Sequence, residues 1–148
     1  MITLSKASDI SFDRIASLVE PFRARVKTWY ENVLNSGVYP YIYEGLRSDA
    51  RQTELYCFGR TLPGRIVTNA MAGQSFHNYG LAFDWVSLRL VDKADRMYEC
   101  DWDNEGAYLI GRKCAEPLKL RFLSWETPHL EDGTYESWRE VKKIFRNE

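Results

Sequence analysis

The run Ser75-Phe76-His77-Asn78-Tyr79-Gly80-Leu81-Ala82-Phe83-Asp84 constrains this chain more than any other stretch. It leads a polar segment without helical period into an alternating one. Ala82, Asp84, Val86 and Leu88 fall on one face and Leu81, Phe83 and Trp85 on the other, the period-two signature of a strand. His77 and Asp84 lie too far apart for neighbouring turns of one helix, but a loop entering a strand can bring them together. Gly80 lets the backbone turn without a Cβ clash, and Ala82 is small enough to leave room beside Asp84. His77 is one of only two histidines. The other, His129, sits in Trp125-Glu126-Thr127-Pro128-His129-Leu130-Glu131, again with carboxylates close by.

The surrounding sequence is that of an ordinary globular domain. A length of 148 residues fits one domain, residues 1–148, able to bury about two-thirds of its unfolded surface. A net charge of -1 offers no electrostatic case for nucleic acid or an anionic membrane surface. The 9 Tyr, 7 Phe and 5 Trp suit a groove that grips an extended ligand, and equally a well-filled core, which is the default for most of them. Cys57, Cys100 and Cys114 lack C-x-x-C spacing and are expected to be reduced, mostly buried thiols of a protein made in the cytosol. No apolar run approaches the roughly 20 residues of a membrane span, and Met1–Lys6 lacks the plan of a secretory signal. A monomer with neither signal peptide nor membrane anchor is therefore expected.

Apolar spacing from Phe12 through Ile15, Leu18 and Val19 predicts a short first helix ending near Glu20. Phe22, Val26, Trp29 and Val33 predict a second, opened by Pro21 and stopped by Gly37. Val38 to Glu44 reads as a strand with Pro40 near its start or on an edge. Ser48 caps a helix that carries Leu55, Tyr56 and Phe58 inward and ends at Gly59-Arg60. The segment from Thr61 to Tyr79 has no period, and a loop of that length is usually functional. Asp92-Lys93-Ala94-Asp95 turns a hairpin back through Met97 to Cys100. Asp101 or Asp103 then caps a helix running to about Glu116, ended by Pro117. A strand from Leu118 delivers Glu126 and His129, and Trp138, Val141 and Phe145 stripe a last helix. This mixed order implies an α+β fold with helices on an antiparallel sheet.

A hydrolytic zinc site needs three protein ligands and one open position. His77, Asp84 and His129 are suitable ligands. Glu126, joined to His129 through the stiffening Pro128, can accept a proton from zinc-bound water and pass it to a leaving amine. Arg47, held at a turn, can stabilise the oxyanion or pair with a substrate carboxylate. Taken singly these residues have plainer readings. A lone histidine is more often a hydrogen-bonded structural residue, and an arginine at a helix start is more often in a surface salt bridge.

Ser75-x-His77-x-x-Gly80-x-Ala82-x-Asp84, followed by Glu126-x-x-His129, resembles the zinc peptidases that act on D-amino-acid bonds of peptidoglycan. That group comprises D-alanyl-D-alanine carboxypeptidases and dipeptidases and the L-alanyl-D-glutamate endopeptidases used as phage endolysins. Gly45-x-Arg47-Ser48, Gln52, Leu55-Tyr56, Gly59-Arg60-Thr61, Val67-Thr68-Asn69-Ala70 and Gly73-Gln74-Ser75 also fit, and the combination favours the endopeptidase branch. The resemblance runs from about Phe12 to Glu131. It implies His77, Asp84 and His129 as zinc ligands, Glu126 as catalytic base, Arg47 as substrate or oxyanion contact, and Ser75 as a substrate-side assistant. It also implies a peptidoglycan stem peptide as substrate and a compact phage endolysin held in the host cytosol until the membrane opens. The departures are Met71-Ala72 where a basic residue is frequent, Glu126 where the endopeptidases commonly have Asp, and Phe122-Leu123-Ser124 in place of a Gly-rich approach. The same zinc site would also serve a D-alanyl-D-alanine carboxypeptidase or dipeptidase. A binding module that keeps zinc without turnover is the reading from another class.

Overall fold

A computed structural model describes residues Met1–Glu148. In chain order it comprises α1 (Leu4–Ala16), α2 (Phe22–Asn35), β1 (Tyr39–Glu44), α3 (Asp49–Cys57), a 3-10 turn (Phe76–Tyr79), β2 (Ala82–Asp92) and β3 (Met97–Cys100). There follow α4 (Glu105–Ala115), a second 3-10 turn (Glu116–Leu118), β4 (Leu120–Leu123), β5 (Glu126–Asp132) and α5 (Trp138–Arg146). All strand pairs are antiparallel, in the order β1-β2-β5-β4, with β3 also on β2. The expected α+β class is what forms, and β2 is its spine, pairing with three strands.

The core gathers where β2 meets the helices. Trp29 of α2 packs edge-on against Phe83 and Trp85, with ring centroids 4.9 and 5.0 Å away. Its indole Nε1 donates to the Gly111 carbonyl of α4 at 2.8 Å. Any Cβ at Gly111 would overlap the Trp85 ring, so glycine is what lets α4 lie against the sheet. Asp84 lies between these two aromatics in sequence and so points to the opposite face. Both faces of β2 are covered, since every residue from Leu81 to Leu88 is buried. Hence Asp84 is a buried carboxylate rather than a solvated one.

Several boundaries differ from the sequence expectation, each for a local reason. α1 begins at Leu4 and stops at Ala16, because the Thr3 hydroxyl caps it and small residues, Ala7 and Ser11, form its buried face. Ser11 Oγ accepts from Ile42 N at 3.0 Å, tying α1 to β1. α2 does begin after Pro21, and Gly37 follows it with φ +88°. On α3 the fully buried side chain is Gln52, while Leu55, Tyr56 and the post-helical Phe58 are half-buried. Ser48 caps this helix as expected, accepting from Arg51 N. The α4 cap is Asn104, whose Oδ1 accepts from Ala107 N at 3.0 Å, and not Asp101 or Asp103. Pro117 does not end a helix outright, because the chain passes through it in a 3-10 turn. The three cysteines are unpaired, as expected, but half-buried.

The last helix clamps the site loop. Arg146 of α5 forms a two-pronged ion pair with Asp49 at the start of α3, both contacts 2.9 Å. Its guanidinium also lies 4.6 Å from the Tyr79 ring centroid. Phe145 packs between Tyr79 and Tyr135.

Candidate metal centre and its cleft

His77 is fixed by the turn that carries it. Ser75 Oγ caps the 3-10 turn by accepting from His77 N at 3.2 Å, and Asn78 Oδ1 accepts in return from Ser75 N. The same Asn78 oxygen accepts from Gly73 N, and the amide nitrogen donates to the Arg47 carbonyl. Arg47 N donates back to the His77 carbonyl at 2.9 Å. Gly80 leaves the turn at φ +68°, where a Cβ would stand only 3.2 Å from Val19. The chain then enters β2 with no slack between His77 and Asp84.

Sheet register brings in the third residue. Asp84 lies opposite His129 on β5, and Ala82 opposite Glu131. One potential ligand atom from each of His77, Asp84 and His129 lies within 4.8 Å of the other two, and all three side chains are buried. His77 Nε2 and His129 Nδ1 each approach Asp84 Oδ1 at 3.2 Å.

The outer hydrogen bonds decide which atoms face inward. The Gly45 carbonyl can only accept, so His77 Nδ1–H donates to it at 2.8 Å and Nε2 is left as a lone pair. Glu131 Oε1 accepts from His129 Nε2–H at 2.8 Å, which leaves the His129 Nδ1 lone pair facing Asp84. Two neutral imidazole lone pairs therefore converge on a carboxylate, three acceptors with no proton among them. Such a set is completed by a cation, either a proton or a metal ion, and backbone carbonyl and carboxylate partners on the far nitrogens are what orient metal-binding histidines. Without metal the proton is held hard. Burial alone would lower the His129 pKa, but hydrogen bonds to Asp84 and Glu131 outweigh it and push it up to about 10. Burial works likewise against an ionised Asp84, yet His77 and His129 hold it well below the usual carboxylate range.

Arg47 reaches the cluster from beside β1. Its Nε and Nη2 donate to the Glu44 carboxylate at 2.7 and 2.9 Å, and Nη1 donates to Gln52 Oε1 at 2.8 Å. Nη2 also stands 3.8 Å from Asp84 Oδ2. Three of its five N–H bonds are thus committed and two remain. Arg47, Ser75, His77, Glu126 and His129 all line one open cleft of about 740 Å³. Glu126 is the exposed member, at the start of β5, and its negative charge contributes to the raised pKa values of His129 and Arg47.

Sequence reasoning missed Glu131, Gln52, Glu44 and Arg121 as supports. Glu131 is held from the other side by Arg121 Nε and Nη2, opposite it on β4. Its signal was present: two residues beyond His129 on a strand, Glu131 must share that residue's face. Gln52 belongs to the matched pattern but gave no hint that it would be fully buried, with Nε2 donating to the Ala70 carbonyl.

No family model matches the chain. Peptidoglycan L-alanyl-D-glutamate endopeptidase CwlK of Bacillus subtilis (strain 168) is 55% identical to it over 105 residues, an alignment covering 66% of this chain and 62% of CwlK. Over that stretch the chain is similar to a peptidoglycan L-alanyl-D-glutamate endopeptidase. It spans a little under two thirds of CwlK's length. Among solved structures, the Serratia marcescens L-Ala D-Glu endopeptidase ChiX superposes with a TM-score of 0.55 over 82% of this chain and 85% of its own. Identity there is 19%, so this likeness speaks for the shared fold. Peptidoglycan peptidase relatives were expected from the motifs, and the similarity to CwlK agrees with that expectation. No helix is long and apolar enough to cross a membrane.

Proposed function

We propose that this chain is a single-domain zinc endopeptidase that hydrolyses the L-alanyl-D-glutamate bond of peptidoglycan stem peptides. The observation that carries the reading is the convergence of His77 Nε2, Asp84 and His129 Nδ1 at one point of an open cleft, with Glu126 on its rim. The similarity to CwlK supports the substrate class. Nitrogen and oxygen donors of this kind suit zinc, which when bound would polarise the scissile carbonyl and acidify water at the open position.

The remaining roles fall to the protein. Glu126 takes the proton of the attacking water and delivers it to the leaving D-glutamate amine. Its exposure keeps the carboxylate within reach of solvent and of an incoming peptide. Arg47 places positive charge beside the cluster, with two N–H bonds left for a substrate carboxylate or a developing oxyanion. Ser75 Oγ accepts from His77 N, so its O–H is free to donate to the peptide. Glu131 and Gly45 keep the two imidazoles in the tautomers the site requires. In the cell we assign the protein to phage-driven host lysis, waiting in the cytosol and reaching the wall once the membrane is opened.

Mass spectrometry of purified peptidoglycan after digestion, with and without chelator, tests this. The expected products are chelator-sensitive fragments beginning at D-glutamate. Release of terminal D-alanine alone would move the protein to the carboxypeptidase branch. Zinc-loaded protein without any cleavage would overturn the enzymatic reading.

A further inference from the structure

Four of the five tryptophans have evident structural work. Trp29 and Trp85 meet in the core, Trp102 packs edge-on to Tyr43, and half-buried Trp138 lies under the Arg139 guanidinium. Trp125 has neither an aromatic nor a cationic partner and is 78% exposed. It stands in the two-residue turn joining β4 to β5, between the paired residues Leu123 and Glu126. A turn of that kind favours small residues such as Asn and Gly and has no use for an indole. Yet this indole lines the same cleft as His77 and His129.

We propose that Trp125 is a glycan-recognition residue, whose indole face stacks on the sugar ring that bears the stem peptide. The proposal rests on the endopeptidase reading, because the scissile bond fixes where the sugar must lie. L-alanine is the residue through which the stem joins the sugar. At about 3.5 Å per extended residue, the ring begins about two residue lengths from the scissile carbonyl. Trp125 lines the cleft next to Glu126, on the rim over which the sugar end of a bound substrate would pass. The groups flanking the bond itself are an alanine methyl and a glutamate side chain, both too small to fill an indole face, whereas the C–H face of a pyranose matches it in size. Thr68, Asn69 and Ser137 line the same cleft and offer partners for sugar hydroxyl and acetamido groups. The adjoining Val67, 60% exposed, supplies an apolar contact on the wall they share.

The test compares two substrates on the zinc-loaded full chain, a disaccharide-tetrapeptide and the identical tetrapeptide without sugar. Trp125→Ala should lower the ratio of their kcat/KM values by about fivefold to tenfold, the scale of one aromatic stacking contact. The change should sit in KM, and Trp125→Phe should restore most of it. An unchanged ratio, whether both substrates fall together or neither does, would overturn the glycan assignment. Failure of the wild-type chain to cut either compound would refute the endopeptidase reading instead. Calorimetric binding of the same two compounds to wild-type chain and variant would then decide the Trp125 claim by the same ratio.

Discussion

At the floor of the cleft His77, Asp84 and His129 are 1%, 7% and 3% exposed, and each imidazole nitrogen that points away from Asp84 has a fixed partner. At the rim, one hairpin turn away, Trp125 and Glu126 project into solvent with nothing holding them. The floor is built from the capped 3-10 turn that holds His77 and from β2 and β5, where register sets Asp84 against His129. The rim is built from a turn and the segment Val67–Ala70. The difference separates two tasks. A metal site tolerates little geometric error, and the candidate one sits on paired strands and a capped turn, whereas the rim leaves side chains free to adjust to a ligand.

The largest way to break that contrast is at the floor. His77→Ala should reduce bound zinc from about one ion per chain to almost none, measured by elemental analysis after dialysis, with hydrolysis lost alongside. Full metal content in that variant would remove His77 from the ligand set. At the rim, Glu126→Ala should keep zinc and the thermal midpoint but slow turnover by about 10²–10⁴-fold. Wild-type turnover would mean that the base lies elsewhere. Glu131→Gln probes the support behind the floor. It keeps an acceptor for His129 but loses the pairing with Arg121, so zinc affinity should fall by about tenfold to 100-fold in a competition titration. The smallest effect is in the metal-free protein. Its His129 titrates at about 10, above the ordinary 6.5, so the stability it contributes is whole below pH 6.5 and is lost as pH rises through 10. The urea midpoint of chelated protein should fall across that window, and a flat midpoint would mean that His129 is neutral without metal.

How far the site could be read from the sequence follows the same division. Asp84 was legible because strand alternation put it opposite the core aromatics. His77 and His129 were legible because they are the chain's two histidines, and Glu126 because it stands three residues before His129. The supports were hidden, since Glu131 acquires its meaning only through the pairing of β5 with β2 and β4. Gln52 likewise depends on a long-range contact with Ala70. Among the elements, α1 was cut short because Ala7 and Ser11 do not register as apolar, although they form its packed face. The α4 cap shifted to Asn104 because three neighbouring polar residues could each have served, and only backbone geometry selects among them.

The clamp of α5 on the His77 turn makes the last helix part of what supports the cleft floor. His77, Asp84 and His129 all lie outside α5, and β2 pairs with β5 without its help, so the turn bearing His77 is the part of the cluster that depends on this outer brace. Only when α5 docks on Asp49 and Tyr79 is that turn held from both sides. Fraying of α5 is therefore expected to loosen the turn that bears His77 while leaving Asp84 and His129 in register.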